Sequence, residues 1–378
     1  MRSIMSRRLA APLAILVIAS LAACGGDSEE PASAGGDSKA PPAASTQTAD
    51  QLYQAAKDAK EDKVVVYASL SFDKCFAKFE QSYPGIKVEY SYLPSDGVIK
   101  VQQEVSSGRN VGDVAITSDE IMLGMDQIGV LQQFLPSTTQ GIDPGFVAET
   151  GNFMAAYQTA GYGLMYNKTQ LTEDQIPTSY EELADPKFKG KIGIIDPTTN
   201  SPGNWILRNL LMSGAPFDDA WLKRFVDNEP GLMNAIPAAT QAVATGEYAI
   251  MIGPYDVSLG PRTATTNKTL GFYYPIKGPV FPAQTWMGMI DGAPHPNAAK
   301  LFETWFMGVE GQTCMTNDAN KYPVMQTTGI PPAPPIKVNG QGLQSLAEMG
   351  AKPPTPPKVG DLQAVQEYIK KFKDAFGR

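Results

Sequence analysis

The chain has 378 residues with 43% hydrophobic and 19% charged side chains, so it is neither a disordered polyelectrolyte nor a fibrous repeat. Its formal charge of −8 makes nucleic acid an improbable partner. A single histidine rules out a His-rich metal centre.

Residues 1–23 read as an export signal. Arg2, Arg7 and Arg8 precede fifteen uncharged, mostly apolar residues from Leu9 to Ala23, a stretch too short to cross roughly 30 Å of hydrocarbon as a permanent helix. It ends in Leu21-Ala22-Ala23-Cys24, which resembles a bacterial lipobox with Cys24 as the acylated first residue of the mature protein; an ordinary secretory signal with a spare Cys is the plainer alternative. Removal of this segment takes away three arginines and no acids, so −8 becomes −11. The expected location is extracytoplasmic, at the cell membrane through a lipid on Cys24. Residues 24–50 are rich in Gly, Ala, Ser, Pro and acid and predict a flexible leash.

About 330 residues remain, more than one core usually serves, which predicts two domains. Lys63–Ser69 is a β-branched and aromatic strand, and Phe72, Phe76 and Phe79 then recur at helical spacing until Pro84-Gly85. A strand over Ile86–Leu93, a helix over Asp96–Ser107 and a strand over Val111–Thr117 complete β-α-β-α-β, hence a mostly parallel sheet. Phe153–Asn167 is extended and rich in Tyr and Gly, as expected of a crossing between domains. A second α/β series follows: strand Lys191–Ile195, helices Pro202–Met212, Asp218–Val226 and Pro237–Ala244, and strand Tyr248–Ile252. Leu270–Pro275 reads as the return crossing, followed by strand Trp286–Ile290 and helix Asn297–Met307. The Pro-rich tail ends in an amphipathic helix, Leu362–Phe376.

Two crossings between two α/β series imply a hinge and a cleft, with ligands beyond the carboxyl ends of strands. The predicted fold class is α/β, two mixed, mostly parallel sheets joined by a two-strand hinge. Residues 51–156 and 271–330 would form lobe 1, residues 157–270 lobe 2, and residues 331–378 a surface tail. Three strand ends run into hydroxyl-rich loops at helix starts: Ser69 and Ser71; Thr117, Ser118 and Asp119; Thr198, Thr199 and Ser201. Such loops offer hydroxyl and N–H donors in front of a positive helix end, which suits an oxyanion, although the same residue types favour plain N-capping.

Cys75 and Cys314, left after Cys24, either form a disulfide or remain two buried thiols. The lone His295 lies in a Pro-rich turn and reads as a surface residue, so a Ser-His-Asp triad has no good candidate. The acids are scattered on polar faces, which favours a binding protein over an enzyme; no catalytic residue, metal site or cofactor is called for.

The chain resembles the type II periplasmic solute-binding proteins of the extracellular family 1 group, whose members serve ABC importers and bind ferric iron, phosphonates or polyamines. The segments that carry this are the lipobox, VVVYASLS, VGDVAITSD, GYGLMYNK, DPKFKGKIGIIDP, GEYAIMIGPYD and GAPHPNAAKLFETWFMGVEGQ, in that order over roughly residues 60–325. The resemblance implies a two-lobed binding protein, a monomer that closes on a small solute, an oxyanion, small organic anion or metal complex, and delivers it to a membrane permease. It also implies ligand contacts at Tyr255 and Asp256, where ferric relatives carry adjacent tyrosines, and at Trp286, where polyamine relatives pair an aromatic with an acid. Here Tyr-Asp replaces the tyrosine pair, and Trp286 has no adjacent acid, which leaves core packing as the alternative role for its ring. The sign of the ligand charge stays open, and a ligand-sensing role on the same fold is the alternative to transport.

Overall fold

The structure, a computed structural model, describes residues 43–94, 96–159, 161–256, 259–275, 277, 279, 281–325, 328–331, 336–338, 341–343 and 357–378, without the side chains of 254–256, 259, 261, 262, 336–338, 341–343 and 359. The export signal, Cys24 and most of the leash lie outside the described residues, as does most of the Pro-rich tail.

The chain enters through α1 (Ala49–Asp58), which the sequence reading left in the leash and the start of the first lobe. Thr48 and Gln51 close a capping box on it, and Leu52 and Ala56 are fully buried. Then come β1 (Lys63–Ala68), α2 (Asp73–Ser82), β2 (Lys87–Tyr92), α3 (Gly97–Ser107), β3 (Val114–Thr117), α4 (Asp119–Gln127), β4 (Leu131–Gln132) and β5 (Met154–Thr159). The middle of the chain supplies β6 (Tyr162–Asn167), β7 (Ile192–Ile195), α5 (Pro202–Met212), α6 (Asp219–Asp227), β8 (Gly231–Met233), α7 (Ile236–Thr245), β9 (Ile250–Asp256), α8 (Leu259–Thr266) and β10 (Leu270–Tyr273). The last third carries β11 (Ala283–Ile290), α9 (Pro296–Phe306), α10 (Val309–Ala319), a short hairpin of β12 (Ile336–Val338) and β13 (Gln341–Leu343), and α11 (Val359–Phe376).

Two mixed sheets result. The first runs β2-β1-β3-β11-β4 with β5 beside β11, and the second runs β10-β6-β9-β7-β8. The α/β-repeat strands pair in parallel, β1 with β2 and β3, β7 with β8 and β9. The strands beside the crossings enter antiparallel, β11 against β3, β4 and β5, and β6 against β9 and β10, so each sheet is less parallel than the β-α-β pattern alone suggests. The chain changes sheet between Thr159 and Tyr162 and returns between Tyr273 and Ala283. At the outward crossing Gly161 has φ +82°, and a Cβ there would sit 2.3 Å from the carbonyl oxygen of Phe281 on the return. Only glycine lets the two crossings touch.

Each sheet has its own apolar core. Val64, Val66, Phe79, Val114, Phe153, Phe302 and Phe306 are buried in the first, and Ile192, Ile194, Leu207, Trp221, Phe225 and Ile250 in the second. Helix α11 straddles them: Leu362 packs against the first core while Phe372 is fully buried in the second. Among the described residues no helix is long and apolar enough to cross a membrane.

His295 is not a free surface residue. Its ring Nδ1 lies 2.9 Å from the fully buried Asp113, which also accepts from the backbone N–H of His295 and Val65, so it ties the start of α9 to β1 and β3. Cys75 on α2 and Cys314 on α10 form a disulfide across 239 residues of sequence. Replacing both by Ser, or adding reductant, should lower unfolding stability by about 2 to 5 kcal/mol, read as a fall in the urea midpoint; an unchanged midpoint contradicts a structural bond.

Glu303 on α9 is fully buried, and neither carboxyl oxygen has a hydrogen-bond partner. Burial raises its pKa from 4.5 to about 8. Between those values the unfolded chain has released this proton and the folded one has kept it, so stability falls as pH rises through the window, by about 1.4 kcal/mol per unit. Glu303→Gln should flatten the loss of stability between pH 5 and pH 8; an equal pH slope in both proteins contradicts a neutral buried Glu303.

Candidate functional site

A cleft of about 780 Å³ lies where the carboxyl ends of strands from both sheets face each other. Three helix starts border it. Ser69, Leu70, Ser71 and Phe72 lead from β1 into α2, Thr117 and Ser118 lead from β3 into α4, and Asn200 and Ser201 lead into α5. The first turns of α2 and α4 have no side-chain cap, whereas Ser201 accepts from the backbone N–H of Asn204 at 3.2 Å. Gly203 lets α5 start this close to the sheet, since a Cβ there would meet the carbonyl oxygen of Ile195 at 1.7 Å.

Of the residues singled out from sequence, Ser69, Ser71, Thr117, Ser118, Asp119 and Ser201 come together on the cleft wall. The hydroxyls of Ser69 and Thr117 are 3.1 Å apart, joining the ends of β1 and β3. Ser71 donates to Asp73 at the exposed lip. Three residues do not reach the cleft. Thr198 donates through its N–H and hydroxyl to the Asp196 carboxylate, and Thr199 donates to the Asp196 carbonyl, so both fold the loop rather than face the ligand space. Trp286 is 3% exposed in the first core, edge-on to Phe153 at 5.6 Å; its neighbour Thr285 lines the cleft instead. Tyr255 and Asp256 close β9, and their side chains lie outside the described residues.

The sequence reading missed several lining residues, among them Tyr157, Tyr162, Trp205, Ile236, Gln284 and Lys321. Lys321 follows α10, whose last residue hands over to Asn320 in the left-handed conformation (φ 52°, ψ 44°). The Cys75–Cys314 disulfide holds α10 beside α2, and the buried Gln312 donates to the carbonyl of Ala156 on β5 and accepts from Val324. Tyr322 then bridges to Gln158 on β5. These ties deliver Lys321 to the cleft, 6% exposed, with its ammonium 5.6 Å from the centre of the Tyr157 ring. No sequence signal marks it, because only the tertiary path of α10 brings it there.

An ion pair joins α4 of the first lobe to α5 of the second. Arg208 on α5 meets Glu120 on α4 at 3.1 Å, and both side chains are close to nine-tenths buried. Burial and the neighbouring Glu120 charge hold the Asp119 carboxyl well above its usual range. Burial acts on Glu120 too, but the Asp119 hydrogen bond and the Arg208 guanidinium outweigh it and bring Glu120 down. The two neighbouring carboxyls are thus pushed in opposite directions, and Arg208 faces the more acidic of them, Glu120. At the far side Lys78 and Lys74 flank Asp318 at 2.7 and 3.9 Å. Among the described residues there is no group of three or more His, Cys, Asp or Glu side chains arranged to hold a metal ion.

Comparison with known proteins agrees with this architecture. A curated relative, "Iron uptake protein A1" of Synechocystis sp., is 27% identical over 175 residues, 45% of this chain and 47% of that protein. The match thus spans about half the length of that relative. Iron-bound HitA from Pseudomonas aeruginosa superposes with a TM-score of 0.60 at 19% identity, covering 83% of this chain and 99% of the other. The substrate-binding protein of an ABC transporter from Agrobacterium tumefaciens gives 0.68 at 17% identity, covering 83% and 94%. These structures share the two-lobed fold. A family model described as bacterial extracellular solute-binding protein matches residues 74–341. The chain belongs to the family of bacterial extracellular solute-binding proteins.

Proposed function

We propose that the protein is the lipid-anchored receptor of an ABC importer, a monomer that binds a small solute in the interlobe cleft and hands it to a membrane permease without chemically changing it. The observation that carries this reading is the meeting of strand-end loops from two separate sheets on one cleft of about 780 Å³, within the range of small-molecule sites. A solute touching Ser69 and Thr117 on one side and Ser201 and Trp205 on the other stabilises the apposed lobes, because it binds that arrangement better than the separated one. Residues 51–156 with 271–330 and residues 157–270 are the two moving bodies in this account. A thiol at Cys24 carries the lipid, and the Gly- and Pro-rich residues after it act as the leash.

A second reading, ferric iron, is favoured by the names of two relatives and by the phenols of Tyr157 and Tyr162 on the cleft wall. Iron held by phenolates would give a visible tyrosinate absorption on titration with ferric citrate, and a colourless mixture rejects it.

Saturation with the solute should raise the unfolding free energy by about 2.7 kcal/mol at a hundredfold excess over Kd, and should reduce the radius of gyration in small-angle scattering. Arg208→Met removes the cross-lobe pair and should begin from a larger radius than the unchanged protein. Scattering that is identical with and without every stabilising solute contradicts closure. Cys24→Ser should move the protein from the membrane fraction to the soluble fraction after export; unchanged partitioning contradicts the lipid anchor.

A further inference from the structure

The second-lobe wall of the cleft is built on one carboxylate. Asp196 follows β7, is 6% exposed, and opens the loop that carries Asn200 and Ser201 to the ligand space. Its Oδ1 accepts from the backbone N–H of Thr198 at 2.9 Å and from the Thr198 hydroxyl at 2.7 Å. Its carbonyl accepts from the hydroxyls of Thr199 and Ser201 at 3.1 and 2.7 Å. Its Oδ2 accepts from a group far along the chain, the Arg378 guanidinium at 3.1 Å, which is its only partner among the described residues. Loss of that cation would leave one oxygen of a nearly buried carboxylate unanswered.

Arg378 is delivered by α11, and α11 is held at both ends. Gly377 turns the chain out of the helix with φ 67°, and the N–H of Arg378 bonds back to the carbonyl of Lys373 at 2.9 Å. Phe372 is fully buried in the second core, Tyr368, Ala375 and Phe376 pack against the same core, and Lys371 pairs with Asp219 on α6. At the other end the Pro357 carbonyl accepts from the N–H of Glu149 at 3.4 Å, and Leu362 packs against the first core. The Asp361 carboxylate accepts from the N–H of Lys358 at 3.0 Å and fixes the helix start.

The helix has 18 residues and no proline, so it acts as a stiff rod of about 27 Å. It lies on α4 of the first lobe and on α5 and α6 of the second. Helices α4 and α5 are also the pair joined by Glu120 and Arg208. Moving the lobes apart must therefore strip the rod from one of them. The hold on the second lobe is the larger, a fully buried ring and two ion pairs against a partly buried leucine and one long hydrogen bond. The start of α11 is the end that lets go.

Resting on the solute-binding reading above, we propose that Arg378 is a positioning residue for the solute wall and that α11, which carries it, is a clasp between the lobes. Arg378 holds Asp196, and Asp196 holds the loop that presents Asn200 and Ser201. The helix travels with the second lobe and grips the first through Leu362, so the cleft stays formed before any solute arrives. Release of that grip opens it.

Acrylamide quenching, hydrogen exchange and small-angle scattering on the mature protein test this without any solute. Trp205 is the optical reporter, because it is partly exposed on the cleft wall and edge-on to Tyr162 and Phe281 at the two crossings, while Trp221, Trp286 and Trp305 are at most 4% exposed. Arg378→Met should speed exchange of the amides between 198 and 204 about 5- to 10-fold and leave those at 64–68 unchanged, and Arg378→Lys should restore most of the protection. Leu362→Asp should enlarge the radius of gyration and raise acrylamide quenching of Trp205; if that variant does not fold, Leu362→Ala should give the same changes at smaller amplitude. Unchanged exchange between 198 and 204 in Arg378→Met, or equal losses in Arg378→Met and Arg378→Lys, overturns the positioning role. A radius and a quenching constant equal to those of the unchanged protein in the folded Leu362 variant overturn the clasp. Both failures leave the receptor reading intact, because its own test is the solute-dependent compaction described above.

Discussion

A parallel strand followed by a helix leaves its chain end and the helix start on the same edge of the sheet, and the cleft depends on that constraint throughout. β1, β3 and β7 end in loops that feed α2, α4 and α5, so three loops gather at two facing edges without any long-range instruction beyond the strand order. The crossings then set the facing. They are threaded close enough at Gly161 and Phe281 that the two sheets meet as one hinged unit.

The electrostatics follow from where these edges meet. Asp119 and Glu120 open α4, where its dipole favours acids, and Arg208 from α5 answers the charge from across the hinge. Two nearly buried partners make this contact depend on the lobes staying apposed, since separation would leave each charge to be solvated anew. Lys321 arrives by a different route. The disulfide, the Gln312 hydrogen bonds and the Gln158–Tyr322 bridge are all contacts of α10 with the first lobe, and together they place a cation on a wall built otherwise from loops near residues 70 and 120.

What the amino-acid order reveals divides along the same line. Local signals carried the α/β series: the run Lys63–Ala68 and the spacing of Phe72, Phe76 and Phe79 mark β1 and α2 where the structure has them. Helix α1 escaped because it adjoins the polar leash, although Thr48 and Gln51 spell a capping box and Leu52 and Ala56 share one buried face. Hydroxyls near strand ends located six residues of the wall, but composition does not tell a side chain turned to the ligand from one turned to its own loop, and Asp196 captures Thr198 and Thr199. Trp286 takes the core-packing role that its sequence neighbours left open, since a strand alternates its faces and the ring falls on the core side. Lys321 and Trp205 had no local signature at all, because contacts far apart in sequence bring them to the cleft.

Hydrogen exchange with and without the tightest-binding solute tests most directly whether both lobes grip it. Backbone amides at 69–73, 117–120, 201–205 and 320–322 should all gain protection together, because the solute would touch loops from both sheets and the segment after α10. Protection confined to the loops of one lobe, with the others exchanging as in the free protein, would contradict a shared interlobe site.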